Sequence, residues 1–193
     1  IKGIKMKFFK LGLASVAVST SLFAGTYNVD ASHTNAGFTV KHMMISNVSG
    51  KFNDVAGTFE FDEKTKTLKS INGEIVTASI NTANEERDGH LKSADLFDVA
   101  QFPKITFKST KIEKNKVQGE LTIKGVTKVV SLDLETSGVI TDPWGKQRTG
   151  FSLNGKIKRS DFGITWNKAL ETGGVAVSDE VKLIVDMEGV LAK

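Results

Sequence analysis
Cysteine is absent from the 193 residues. Disulfides, thiolate nucleophiles, thiolate metal sites and a lipidated N-terminal cysteine are thereby excluded, and the fold must rest on its core alone. Proline occurs only at Pro103 and Pro143, so most of the chain lacks the residue that breaks ladders of backbone hydrogen bonds. The three histidines, His33, His42 and His90, do not stand at metal-binding spacings, and no metal or other cofactor is expected. A surplus of one charge is missing too. The net charge of +4 is carried by Lys2, Lys5, Lys7 and Lys10, and without them basic and acidic residues are equal in number. Nucleic acid is therefore not an expected partner. No run reaches the roughly 20 predominantly apolar residues of a membrane span. The longest, Leu11 to Ala24, is diluted by Ser15, Ser19, Thr20 and Ser21.

That run has the order of an export signal: a basic start at "MKFFK", an uncharged apolar stretch, then Leu22-Phe23-Ala24 ending in a small residue. Residues 1–5 read as upstream sequence, 6–24 as a signal peptide cleaved after Ala24, and 25–193 as one domain. No stable membrane insertion is expected after cleavage.

Within that domain, alternation with a period of two recurs from end to end, as half-buried strands require. One face each is shared by Phe38/Val40/His42, Phe59/Phe61, Val76/Ala78/Ile80, Ile105/Phe107, Val117/Gly119/Leu121/Ile123, Val130/Leu132/Leu134, Phe151/Leu153/Ile157 and Val181/Leu183/Val185/Met187. Turn-forming connections follow Phe61, Ile112, Ile123 and Ile140, which predicts sequential antiparallel pairing. Only "ANEERDGHLKSADLF" has helical character, and Gly89 limits it to a short or broken helix. Eight such strands make a sandwich or a closed barrel, and periodicity does not separate the two. Gly57, Ala78 and Gly119 on the dry faces predict free volume inside.

The segments "TYNVDASHTNAGFTVKHMMISNVSGKF", "SINTANEERDGHLKSADLFDVAQFPKITFKST", "GELTIKGVTKVVSLDL" and "DPWGKQRTGFSLNGKIKRSDFGITWN" resemble, in this order, the YceI family. The resemblance runs from Tyr27 to about Val190. It implies an all-β fold, an extended eight-stranded antiparallel lipocalin-like barrel with a short helical lid. It also implies a periplasmic location and the binding, transport or storage of a long-chain isoprenoid or fatty lipid without turnover. Pairing into homodimers is common in the family.

The cluster in "EERDGHLKSADLF" carries competing readings. Asp88, His90, Ser93 and Asp95 contain the residue types of a catalytic triad, yet Asp88 stands two positions from His90 and points elsewhere on a helix. A lid fits better, with Leu91, Leu96, Phe97 and Phe102 capping an apolar tube and Arg87, Asp88 and Lys92 meeting water. Buried charges need partners, so Arg87 and Asp88 are expected either to form a network with Arg159 and Asp161 or to meet a ligand's polar head. The expected ligand-binding set is Phe38, His42, Phe59, Phe61, Arg87, Asp88, Leu91, Phe97, Phe107, Leu121, Ile123, Leu132, Phe151, Arg159, Phe162, Trp166 and Leu183, with no catalytic residue. The alternatives are an enzyme acting on a lipid head group through Arg87 to Asp95 with Arg159 and Asp161, or a solid-cored interaction module.

Overall fold
The computed structural model describes residues 24–193 apart from position 172. The expected signal segment lies outside the described residues except for Ala24, and the first strand begins at Gly25. Twelve strands form one antiparallel sheet. They are β1 (Gly25–Val29), β2 (Asn35–His42), β3 (Ser46–Phe52), β4 (Val55–Asp62), β5 (Thr67–Val76), β6 (Ile80–Asn81), β7 (Lys104–Glu113), β8 (Lys116–Ile123), β9 (Val126–Thr136), β10 (Ile140–Thr141), β11 (Gln147–Lys158) and β12 (Val177–Leu191). Eight of them close a ring in the order β1-β4-β5-β7-β8-β9-β11-β12, because β12 pairs with β11 on one edge and with β1 on the other. Closure leaves this ring without the unpaired edges that sheets must otherwise protect.

The fifteen-residue β12 is longer than β1, and it holds β2 on the same edge ahead of β1, from Val177↔His42 to Asp186↔Asn35. The β2–β3 hairpin therefore prolongs one side of the barrel. Where β3 stops pairing, at the two-residue β6, the helix α1 (Glu85–Lys92) and the loop to Pro103 follow. Asn84 caps α1 by accepting the Arg87 amide at 2.9 Å.

The eight predicted strand faces need one correction. Val76 ends β5 and is exposed, Ala78 is exposed in a short 3-10 turn, and only Ile80 is buried. The buried face of β5 is instead Leu68 and Ile71, continued by Ile75. A bulge opposite Glu60 and Phe61 sets these first two residues three apart and hides the alternation. β1 and β3 also lacked a legible pattern, since they are short or largely polar.

The core has two parts. At one end Tyr27 stacks on Phe59 with ring centroids 5.4 Å apart, and Phe151 meets Phe59 edge-on at 5.1 Å. With Phe61, Val117 and Leu134 these rings fill the barrel solidly. Toward the other end Phe52, Ile80, Leu96, Ile105, Leu121, Ile123, Phe162 and Ile164 form a second cluster, against which Leu91, Phe97 and Trp166 pack. Among the described residues no helix is long and apolar enough to cross a membrane.

Candidate functional site
Between the two clusters lies a cavity of about 370 Å³. The inward faces of the strands build it. Phe38 and Val40 come from β2, Ile71, Gly73 and Ile75 from β5, and Ile105 and Phe107 from β7. Leu121 and Ile123 follow from β8, Leu132 from β9, Leu153 and Ile157 from β11, and Val181, Leu183, Val185 and Met187 from β12. Ile71, Leu132, Leu153 and Met187 touch the aromatic plug, which makes a closed floor. Leu91, Leu96 and Phe97 cover the opposite end, with Phe97 edge-on to Phe52 at 6.0 Å.

Most polar residues on this wall gather around the lid: Thr82, Arg87 and His90 beside α1, His42 at the end of β2, and Arg159 after β11; Glu74 of β5 and Thr106 of β7, paired across their ladder, also border the cavity. A knot around Thr82 anchors α1. The Asp88 carboxylate accepts the Thr82 amide at 2.9 Å and its hydroxyl at 2.5 Å. Arg87 Nε donates to the Thr82 hydroxyl at 2.7 Å, and its Nη2 donates to the Thr82 carbonyl at 2.8 Å. The lid loop is tied to the β8–β9 turn by Lys124, whose Nζ donates to the Ala94 carbonyl at 3.0 Å. His90 meets the Trp166 ring edge-on with centroids 4.7 Å apart.

Arg159 is the buried charge of the site, 8% exposed. Its guanidinium donates to four main-chain carbonyls: Ser178 at 2.9 Å, Ile164 at 2.8 Å, Trp166 at 2.8 Å and Val177 at 3.3 Å. Burial lowers its pKa from the ordinary arginine value, and the charge of Asp179 opposes that shift. Asp179 itself accepts the Ser160 amide at 3.0 Å and hydroxyl at 2.8 Å. One arginine thus ties the turn after β11 to the segment carrying Ile164 and Trp166 and to the start of β12.

These contacts replace the expected four-charge network. Arg87 and Asp88 both serve Thr82, Arg159 serves carbonyls, and Asp161 is exposed. No ion pair joins the four among the described residues. The triad ingredients do not assemble: Ser93 Oγ donates to the His90 carbonyl at 2.7 Å rather than to its ring, Asp88 is held by Thr82, and the His90 ring approaches only Asp95, at 3.7 Å on the exposed side.

Of the residues expected to contact ligand, Phe38, His42, Arg87, Leu91, Phe97, Phe107, Leu121, Ile123, Leu132, Arg159, Phe162, Trp166 and Leu183 stand on the cavity wall. Phe59, Phe61 and Phe151 do not. They pack against one another and Tyr27 in the plug, and Asp88 turns to Thr82 instead. Phe102 lies under the β8–β9 turn, where it would meet any side chain at Gly125. The expected source of free volume also changes: the space beside Gly119 is filled by the Phe107 ring, and a side chain at Gly57 would strike the Asn72 carbonyl. Sequence reasoning passed over Ile71 and Gly73 because the β5 bulge displaced them from a regular pattern. The arrangement suits a molecule with an apolar chain against the strands and any polar end near the lid.

A YceI-like domain model matches residues 27–189. The chain is 40% identical over 197 aligned residues to the protein YceI of Salmonella newport, covering 98% of this chain and all of that one. It is 41% identical over 163 residues to a UPF0312 protein of Staphylococcus aureus, covering 84% of this chain and 95% of that one. Among solved structures it is similar to the Campylobacter jejuni YceI protein, with 39% identity, a TM-score of 0.68 and coverage of 79% and 90% of the two chains. A polyisoprenoid-binding domain from Saccharophagus degradans shares the fold, with 16% identity, a TM-score of 0.66 and coverage of 88% and 99%.

Proposed function
This chain belongs to the YceI family, and from that premise we propose that it binds a long-chain isoprenoid or similar lipid within the barrel and carries or stores it in the periplasm. The carrying observation is the cavity of about 370 Å³, lined mainly by aliphatic and aromatic side chains and closed at one end by the plug. Burying hydrocarbon in such a site is favourable by about 25 cal/mol per Å² of apolar surface, so length and dryness of the wall supply affinity without many polar contacts. The charges at the lid end are satisfied within the protein, which leaves the tube itself apolar. The same fold occurs in the polyisoprenoid-binding domain of Saccharophagus degradans, a likeness of fold that accords with this reading.

Mass spectrometry of native protein extracted with organic solvent tests it. The expected result is one predominant long-chain lipid, unchanged when the loaded protein is incubated. Absence of lipid, or a mixture in the proportions of the total cell extract, overturns the carrier reading. Chemical conversion of the lipid on incubation favours an enzyme. Location is read separately: the periplasmic fraction should contain a chain whose intact mass begins at Gly25, and retention of the full-length mass in that fraction overturns the processing site.

A further inference from the structure
Two glycines, Gly37 and Gly73, line the cavity, and they differ in what a side chain would encounter. A Cβ at Gly37 would meet Asn35 and the Ile184 carbonyl, each 3.1 Å away. A Cβ at Gly73 would meet nothing within 4 Å. Other strand glycines have their missing side chains replaced by neighbours: Phe38 fills the space at Gly50, Phe107 at Gly119, Leu132 at Gly155 and Phe59 at Gly189.

Gly73 sits midway down the tube. On its own strand Ile75 touches both core clusters, whereas Ile71 belongs to the plug side. Across the ladder it pairs with Gly57 on one side and Phe107 on the other, and β11 lies across the ring. The deepest wall residues, among them Ile71, Leu132, Leu153 and Met187, are thus on the floor side of the level at which the wall is bare. Its backbone is outside the left-handed region, so local conformation does not demand glycine. A strand-interior glycine has a conformational entropy cost and contributes no packing, and it often marks the close approach of a ligand.

From this open space we propose that Gly73 is a specificity-determining residue, whose missing side chain keeps the lower half of the tube open and so sets the longest hydrocarbon chain the barrel accepts. The inference rests on the carrier reading and adds a chain-length gauge to it. A leucine at this level narrows the passage to the floor, leaving room for short chains above it and excluding the end of long ones. The lid and the polar groups around it are untouched.

The test uses delipidated full-length mature protein, wild type and Gly73→Leu, titrated with a ladder of straight-chain fatty acids and a ladder of linear isoprenols from short to long. The stripped variant should melt at or above wild type. Short members should bind both proteins equally, and the longest should bind the variant at least about tenfold more weakly, with Gly73→Ala intermediate. An identical length profile in wild type and Gly73→Leu overturns the role of Gly73 while leaving the carrier reading in place. Failure of wild type to bind any chain overturns the carrier reading and this inference together. Should Gly73→Leu not fold, Gly73→Val and Gly73→Ala carry the prediction in smaller steps, and a flat profile across both overturns it.

Discussion
Arg159 places a full positive charge beside an apolar cavity and satisfies it with carbonyl oxygens, chiefly those of Ile164 and Trp166, each 2.8 Å away. Hydrogen bonds to a charged group contribute more than neutral ones, and stranding several buried carbonyls adds a desolvation cost. Arg159→Ala should therefore destabilise the protein by about 3 kcal/mol in urea titration. Arg159→Lys should recover less than half of that, because an ammonium lacks the planar fork that spans four acceptors. Asp161→Ala, two positions away but exposed, should stay within about 0.5 kcal/mol of wild type. An equal loss at Asp161 would restore the four-charge network. The sequence marked Arg159 only as a network partner for Arg87 and Asp88, because main-chain carbonyls look the same at every position and leave no compositional trace. The expectation accordingly settled on the nearby carboxylates.

A second arginine supports the plug end in the way expected of ion pairs. Arg148 donates to Asp30 at 2.7 Å, Asp142 at 2.7 Å and Glu188 at 2.6 Å. The Arg148 hydrogen bond leads the causes that lower the Asp142 pKa. For Asp30, the Ser32 hydroxyl comes first and Arg148 second in holding the carboxyl well below the usual range. Lowered folded-state values mean stability that is fully present above the unfolded carboxylate pKa of about 4 and is lost as pH falls through the folded values. Arg148→Met should thus be less stable than wild type above about pH 4, with the gap closing as the medium is acidified. A gap that stays constant down to the acid transition would show that Arg148 acts only by packing.

At the scale of elements, the β2–β3 hairpin turns through Met43 and Met44 with φ of +47° and +62°. Both fall in the left-handed region, where side chains beyond glycine and asparagine are strained. The same turn exposes Ile45, 81% accessible. Met43→Asn combined with Met44→Gly relieves the strain and should stabilise the stripped protein by about 1 kcal/mol in thermal or urea unfolding. Lipid loading should not change, because Met43 and Met44 lie beyond the cavity-lining His42. Destabilisation by the pair would mean that the methionines hold the turn through packing. Element legibility followed regularity of pattern. β8, β9 and β11 showed clean alternation because each runs unbroken past the core, as does β12 beyond the irregularity between Val177 and Val181, and the turns were marked by Asp, Asn and Gly. β5 failed because one bulged residue, Lys69, resets its alternation between Leu68 and Ile71. β1 offers only Tyr27 as a fully buried residue. The helix was readable from its charged run, but its seat over the barrel is set by Thr82, which no periodicity singles out.

The whole molecule divides along its long axis into a solid half and a hollow half, and the two should respond differently to the same kind of mutation. Phe59 is 1% exposed between Tyr27, Phe151 and the backbone at Gly189, so Phe59→Ala removes a ring from a close-packed plug. The expected cost is about 3 to 5 kcal/mol, made of lost transfer energy plus a new void. Leu183 stands half-buried on the cavity wall. In stripped protein it already borders empty space, so Leu183→Ala enlarges an existing cavity instead of creating one and should fall at or below the lower end, about 2 kcal/mol, of the usual range for such a truncation. Adding lipid should reverse the ranking of what is gained: ligand bound only to the folded state raises apparent stability in proportion to occupancy. Leu183→Ala, with contacts to the chain removed, should gain less from saturating fatty acid than wild type does. Phe59→Ala should gain about as much as wild type, provided its floor stays closed. Denaturant melts of the three proteins with and without the same fatty acid measure all of these quantities. Equal costs for Phe59→Ala and Leu183→Ala in the stripped state would mean that the barrel is packed along its whole length, and the cavity, with the carrier function argued from it, would have no support in solution.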